Sequence, residues 1–487
     1  MYTGMLVSRK VNSNMYYLML VIVCLYVFFI GQYIDEKNVS LIAVLALFIG
    51  NIIFAIWNHK GDSVFFLIFH FMIFLFILSR PTIAMLRGDN WQYYFTDNTI
   101  YTVLLVILLS LCGLYQGGFF CRNKKRQDEY RKAKIQTAEN KKILFIITLI
   151  CVCVNIWAEV SSYLAFSGSY EEIYLAPVTS NPWFVSIISG IAPFIMIIYL
   201  AGNPSKNKTI VILGLYVVAS FPSVLMGARN VIMLRVLFAG SYFIIRELYE
   251  RKKTWIGKKE IAIVVMLVPI VIVALGAMNY TREEQDLPSN SPLYLVEDFF
   301  YKQGTSFDTM IQTIEYKEKI LTDTYINFSF GEFIDFVLYN DISNKVLGTT
   351  VLEYGNGINK ATVSNNLAHR VSYVVLGRNY LEGHGRGTTY FSELYLDFGY
   401  IGVVAFNMIL GFFLCRVLKM YKNGFNQRVI LLCIVLNIFL TPRMSFSTSI
   451  GFVINYYFWM TVFAIMILYR VIKWLFERKI IKNYQNM

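Results

Sequence analysis

A set of arginines is the chemistry that stands out in this chain: Arg80, Arg87, Arg229, Arg235, Arg370, Arg378, Arg386 and Arg443. A guanidinium is a planar fork of donors that grips two phosphate oxygens at once and keeps its charge when partly desolvated. A diphosphate at a membrane surface is the group such a set suits. Arg229, in Met226-Gly227-Ala228-Arg229-Asn230, lies in a very tight turn, and Arg235 sits about a turn and a half deeper in an apolar stretch. An ionisable group at that depth is costly and is expected to have a function. Arg80, before Pro81, and Arg443, after Pro442, are open to two readings: anion binding, or snorkelling of a helix end.

Gly383-His384-Gly385-Arg386-Gly387-Thr388-Thr389 leads into a further apolar stretch. Glycines let backbone amides approach a phosphate, and a helix N-terminus adds a favourable dipole, although a plain turn has the same composition. Glu393 and Asp397 follow at i and i+4, on one helix face. Such carboxylates must be paired or wet; Asp397 is expected to pair with the arginines, while Glu393 could equally act as a general base. His369 and His384 could each deprotonate a sugar hydroxyl near neutral pH. Two histidines do not make a metal site, and Glu283, Glu284 and Asp286 read as a solvated face, so no metal and no cofactor is expected. The seven cysteines lie in or at the ends of apolar runs, without zinc spacing or a disulfide framework.

Positioning these groups falls to membrane helices. Of 487 residues, 56% are hydrophobic, 16% aromatic and only 15% charged, far from the composition of a soluble domain. Runs long enough to cross a bilayer occur near 15–33, 39–57, 64–79, 99–119, 143–165, 184–200, 209–226, 230–246, 261–278, 389–415, 429–442 and 449–470. The first has no small-residue cleavage site after it and reads as a retained span. The eleventh is short, so it is tilted, re-entrant or joined to the twelfth. With the N-terminus inside, 29 of the 44 lysines and arginines fall on inner segments and 23 of the 31 acidic residues on the outer side. That is the positive-inside pattern, and it explains the net charge of +13 through topology and contact with the lipid bilayer, without a nucleic-acid partner. The arginines above are the minority that defy it.

The expected fold is therefore an all-α polytopic membrane protein of about twelve helices with both termini cytoplasmic. Residues 1–278 hold nine helices with short loops, 279–389 form one large extracytoplasmic loop, and 390–487 hold three helices and a cytoplasmic tail. A loop that long is usually functional. In it Phe300, Phe307, Ile311 and Ile314 recur at helical spacing, and Phe333 with Val337 marks another helix. These stretches are expected to cover the bundle mouth as amphipathic lids, with individual aromatics packing the loop's own core.

Gly385-Arg386-Gly387-Thr388-Thr389-Tyr390-Phe391-Ser392-Glu393-Leu394-Tyr395-Leu396-Asp397-Phe398-Gly399 resembles the glycine-rich entry into a Glu-Leu-Tyr…Asp-Phe-Gly segment of the O-antigen polysaccharide polymerase (Wzy) family. Leu367-Ala368-His369-Arg370-Val371-Ser372-Tyr373, Gln303-Gly304, Gly227 with Arg229, and Arg80-Pro81 resemble further family features. Arg386 departs from the pattern, which more often has a small or apolar residue there. The resemblance implies a GT-C-like membrane glycosyltransferase of the bacterial cytoplasmic (inner) membrane, active on its extracytoplasmic side. It would polymerise polyprenyl diphosphate-linked oligosaccharide repeat units, as both donor and acceptor, into O-antigen or capsular polysaccharide, alongside a chain-length regulator and a flippase. Arg229, His369 and Glu393 would be catalytic; Arg80, Arg235, Arg370, His384, Arg386, Asp397 and Arg443 would bind substrate. The alternatives are a ligase that moves finished glycan to another acceptor and a flippase for the lipid-linked unit.

Overall fold

The computed structural model describes residues 2–59, 63–89, 95–122, 138–166, 175, 181–250, 254–282 and 291–485. Glu283, Glu284 and Asp286 lie outside the described residues. Every regular element among those described is helical. Ten helices are long and apolar enough to span a bilayer: Met15–Tyr33, Lys37–Trp57, Val64–Arg87, Asp97–Phe120, Lys142–Ala165, Trp183–Ala201, Lys206–Leu225, Tyr390–Leu414, Phe425–Arg443 and Phe446–Val471. The two remaining expected spans are also helices, Arg229–Tyr249 and Lys258–Arg282. Helix Arg229–Tyr249 carries Arg229, Arg235, Arg246 and Glu247 within its length, which lowers its hydropathy. The chain is a multi-pass membrane protein.

One compact unit comprises Met1–Asp128, Phe243–Lys419 and Ile438–Thr448. Its helices are α1 (Tyr2–Tyr33), α2 (Lys37–His59), α3 (Val64–Ile73), α4 (Ser79–Arg87) and α5 (Asp97–Arg122), then the helices of the long segment 291–389 and α20 (Tyr390–Leu414). The α5–α20 pairing rests on missing side chains. A Cβ on Gly117 would lie 1.8 Å from the Met408 carbonyl oxygen, one on Gly113 2.6 Å from that of Val404, and one on Gly411 2.0 Å from that of Leu114. Gly113-x-x-x-Gly117 thus forms the small-residue stripe by which membrane helices approach closely without a hydrophobic drive. A buried polar hub ties the rest: Asn51 Oδ1 accepts from Tyr17 (3.0 Å), while Asn51 Nδ2 donates to the Leu111 carbonyl (2.9 Å) and meets His70 Nε2 (3.2 Å).

Several helices are interrupted. A π-helical turn, Phe74–Leu78, joins α3 to α4, with Pro81 just beyond. Pro81 has no N–H to give the carbonyl four residues back, and Ser79 and Thr82 hydroxyls bond the Leu75 and Leu78 carbonyls (2.8 and 2.6 Å). Helix α20 breaks at Gly399, whose φ of 62° and ψ of −163° are open only to glycine. The expected short eleventh run is a helix, Phe425–Asn437, that tightens into a 3₁₀ turn, Ile438–Arg443, around Pro442.

The long segment before α20 contains α12 (Pro292–Gln303), α13 (Ser306–Glu315), α14 (Lys317–Ile320), α15 (Gly331–Leu338), α16 (Asp341–Leu347), α17 (Ile358–Val363), α18 (Leu367–Leu376) and α19 (Arg378–Leu381). Phe300 and the Phe307, Ile311, Ile314 set belong to two helices, broken at Gly304. Phe307, Met310, Ile311 and Ile314 are buried, and a second small core joins Ile320, Phe328, Leu367 and Val371.

The other unit comprises Glu129–Tyr242, Met420–Asn437 and Ser449–Met487. In it α6 (Ala138–Ala165) packs on α7 (Trp183–Ala201), α8 (Lys206–Val218) and α9 (Phe221–Leu225), and α10 (Arg229–Tyr249) begins there.

Candidate functional site

The α12–α13 turn and the helices it joins meet four arginines of the first unit, Arg80, Arg87, Arg386 and Arg443. Arg80 Nε meets Asp308 Oδ2 at 2.8 Å, and its guanidinium lies 4.4 Å from the centre of the Tyr301 ring. No described residue bonds the two terminal nitrogens of Arg80. Arg87 flanks the same ring at 4.9 Å and pairs with Glu297 at 2.7 Å. Arg443 donates to Gln303 Oε1 at 2.8 Å. Arg386 is exposed; its backbone carbonyl accepts from Thr309, and its charge acts on Asp308. Burial pushes the Asp308 carboxyl above the usual carboxylate range, against the pull of Arg80 and Arg386. Arg80 and Arg386 thus act on the one Asp308 carboxyl, and Arg443 reaches the same turn through Gln303.

Close packing builds this turn. Gly304 presses on α4, where a Cβ would lie 2.5 Å from Arg80 Cβ, and Ser79 donates to the Phe300 carbonyl at 2.8 Å. The π turn before Ser79 offsets the end of the span and presents Arg80 there, a use typical of such turns.

Glu393, fully buried in the first turn of α20, takes three donors: Ser445 Oγ (3.0 Å), Phe446 N (3.2 Å) and Thr388 Oγ1 (3.3 Å). It thereby holds the strap that follows Arg443. Asp397 does not pair with arginine. It accepts from Tyr325 Oη (2.6 Å), Phe328 N (3.0 Å), and Ser329 N and Oγ (2.6 and 2.5 Å). A carboxylate with four donors at hand needs no ion pair, and the expected pairing is replaced by anchoring of the 325–329 turn.

Arg370 is 1% exposed and spends its fork on the chain: the carbonyls of Ser364, Ile320 and Val363, and the hydroxyls of Thr322 and Thr324. His369 Nδ1 lies 2.9 Å from Tyr380 Oη, which lies 3.4 Å from the Gly357 carbonyl. Burial, with Lys360 adding to it, lowers the His369 pKa to about 4, so the ring is uncharged at neutral pH. His384 is exposed, its amide donating to the Asn379 carbonyl. In the glycine-rich stretch the Arg386 N–H donates to Ser372 Oγ at 2.9 Å, and the Gly383 and His384 N–H groups donate to the Tyr380 and Asn379 carbonyls. Its glycines also serve shape, Gly383 and Gly387 having φ of 97° and 76°.

In the other unit Arg235 is nearly buried and committed. It pairs with Glu159 (3.2 Å), donates to the Tyr216 carbonyl (3.0 Å) and lies over the Tyr216 ring (4.6 Å), while Ser223 donates to Glu159 (2.8 Å). The backbone of Arg229 opens α10 after Gly227, whose φ is 94°; the Arg229 side chain lies outside the described residues.

Comparison with known families decides the assignment. The model of the O-antigen polysaccharide polymerase Wzy matches residues 16–474, nearly the whole chain. The chain belongs to that family. No curated protein and no solved structure matches it. As a Wzy polymerase it makes O-antigen polysaccharide from lipid-linked oligosaccharide repeat units in a membrane. Gln303, Asp308 and Tyr301, which surround the Wzy arginines, were not singled out from sequence as ligand groups; Gln303-Gly304 was the only signal near them. Glu159, the Arg235 partner, carries no signal beyond its place near the end of a span.

Proposed function

We propose that this Wzy polymerase is a GT-C-like glycosyltransferase of the bacterial cytoplasmic membrane whose Arg80, Arg386 and Arg443 hold the diphosphate of a polyprenyl diphosphate-linked glycan. The observation that carries the proposal is the convergence of these arginines on the α12–α13 turn, with the terminal nitrogens of Arg80 and the whole Arg386 fork unbonded by any described residue. The acceptor is the next lipid-linked repeat unit. Its hydroxyl oxygen attacks the donor's anomeric carbon, the bond from that carbon to the diphosphate oxygen breaks, and the diphosphate leaves with the electron pair. Its developing charge needs stabilisation more than a proton, which is the work of fixed cations.

The hydroxyl proton goes to His369. With Nδ1–H donating to Tyr380 and Tyr380 donating to Gly357, Nε2 keeps its lone pair on an uncharged ring. Glu393 positions the strap carrying Arg443, Arg370 and Asp397 shape the loop, Arg235 holds its helix, and His384 faces the sugars. Helices α10 and α11 (Lys258–Arg282), with 21 and 25 residues, are long enough to be spans, giving twelve with both termini cytoplasmic and 291–389 outside. A flippase that delivers repeat units and a chain-length regulator are the partners.

The test is purified protein in vesicles with the lipid-linked repeat unit of the source organism and no second acceptor. A ladder of lengthened products excludes an obligate ligase and a pure flippase; a folded preparation that yields no ladder sinks the proposal.

A further inference from the structure

The apolar residues of the outer segment fall into two classes. Many of those of α12, α13 and α18 are buried, among them Phe299, Phe307, Ile311 and Val371, with Leu293 at the start of α12 a 77% exposed exception. Those of the α15–α16 hairpin are not: Phe336 is 56% exposed, Val337 60%, Ile342 75%, Val346 75% and Leu347 63%. Several polar groups of the same hairpin turn the other way, while Asp341, Asn344 and Lys345 of α16 are exposed. Glu332 accepts from Thr448 (2.5 Å), Asp335 from Ser364 Oγ and Asn365 N (2.5 and 2.8 Å), and buried Ser343 donates to the Val337 carbonyl. On α15, polar groups inward and large apolar groups outward is the inverse of a water-facing helix, and with the exposed Ile342, Val346 and Leu347 of α16 it suits a surface whose solvent is the apolar–polar boundary of a bilayer.

Two anchors set the depth. Asp397, which holds Phe328 and Ser329, is the eighth residue of the Tyr390–Leu414 span, about 10 Å along it at 1.5 Å per residue. Thr448, which holds Glu332, belongs to the Phe446–Val471 span, in its first turn. The chain therefore enters α15 at the level of span ends, where headgroups give way to acyl chains, and not above the membrane. Gly331 fixes that entry: a Cβ there would lie 2.1 Å from the Asn365 carbonyl oxygen.

We infer that the α15–α16 hairpin is an interfacial element, with Phe336, Val337, Ile342, Val346 and Leu347 set among phospholipid acyl chains of the leaflet on the loop side. The polarity of the hairpin and the depth of its anchors carry the assignment, which is independent of the catalytic proposal. Lys345, between Ile342 and Val346 in sequence and exposed, reaches the headgroup phosphates.

The experiment uses the full chain in nanodiscs of phosphatidylethanolamine and phosphatidylglycerol, with and without acyl-chain bromination. Ile342→Trp, Val346→Trp and a water-facing reference, Glu318→Trp on α14, are compared as difference spectra against the unsubstituted chain, which has seven tryptophans of its own. All three sites are exposed, so the added ring displaces no packed neighbour. Bromolipid is expected to remove about half or more of the added emission at 342 and 346 and little at 318. Equal, weak quenching at all three sites overturns the inference in favour of water. Blue-shifted but unquenched emission at 342 and 346 overturns it in favour of a second copy of the chain.

Discussion

Replacing Gly304 with alanine should uncouple the arginine cluster without touching any charged group. The residue has φ −73° and ψ 8°, a conformation open to every amino acid, so the added methyl brings no backbone strain. It brings a collision: 2.5 Å to Arg80 Cβ, 2.6 Å to Arg80 N and 2.7 Å to Ser79 Oγ. Carbon atoms pack at about 3.5–4.0 Å, so the α12–α13 turn must retreat from α4 by about 1 Å. The Ser79–Phe300 hydrogen bond, the Arg80–Asp308 pair and the Arg443–Gln303 hydrogen bond, each 2.8 Å, involve that turn or the helix leading to it. Overpacking of this kind costs about 1–3 kcal/mol, and a shift of about 1 Å at groups that position a substrate costs up to about 10²-fold in rate. Gly304→Ala is therefore expected to reach the membrane in reduced amount and to elongate lipid-linked units about 10- to 100-fold more slowly per folded molecule. Gly88→Ala is the control. Its φ is 74° and nothing lies within 4 Å of its Cβ, so it should cost about 1 kcal/mol in stability and leave elongation alone. Wild-type elongation by Gly304→Ala, or equal slowing by Gly88→Ala, would refute the reasoning.

Arg443→Ala and Arg386→Ala should each slow elongation by about 10²-fold or more while single repeat units accumulate, with the Arg386 variant keeping its thermal midpoint because that side chain bonds no described residue. Arg370→Ala should act oppositely, opening the outer segment to protease and lowering the midpoint, since it strands the Ser364, Ile320 and Val363 carbonyls. Asp397→Asn should loosen the 325–329 turn, because an amide offers hydrogens to Ser329 and Phe328 donors that need an acceptor; chymotryptic cleavage there reads it out. For His369, the folded pKa of about 4 lies below the unfolded value near 6.5. Stability from keeping the ring neutral is thus intact above about pH 6.5 and declines as pH falls towards 4, and His369→Gln should remove that part of the midpoint's pH dependence. Elongation should hold its rate through pH 6.5; an acid limb centred there, lost in His369→Gln, would contradict the assigned environment.

Hydropathy and charge made the spans legible in sequence, because bilayer burial demands long apolar helices whatever they pack against, and translocation sorts lysine and arginine by side. Short motifs such as Gly385 to Gly399 made the resemblance to the Wzy family legible, and the family model matches residues 16–474. What sequence left open was which charged group meets which. Asp397 and Arg370 read as ligand groups, yet each is saturated by backbone and hydroxyl partners from residues 320–365, contacts fixed only when the outer segment folds back on α18 and α20. Phe300 and Phe307 read as one helical stripe, and the break at Gly304 comes from its approach to Arg80, more than two hundred residues away in sequence. Spacing along the chain specifies helices because their hydrogen bonds are local. The partners of a guanidinium or a carboxylate are chosen by whichever distant segment arrives with unsatisfied donors and acceptors, and only the tertiary structure decides that.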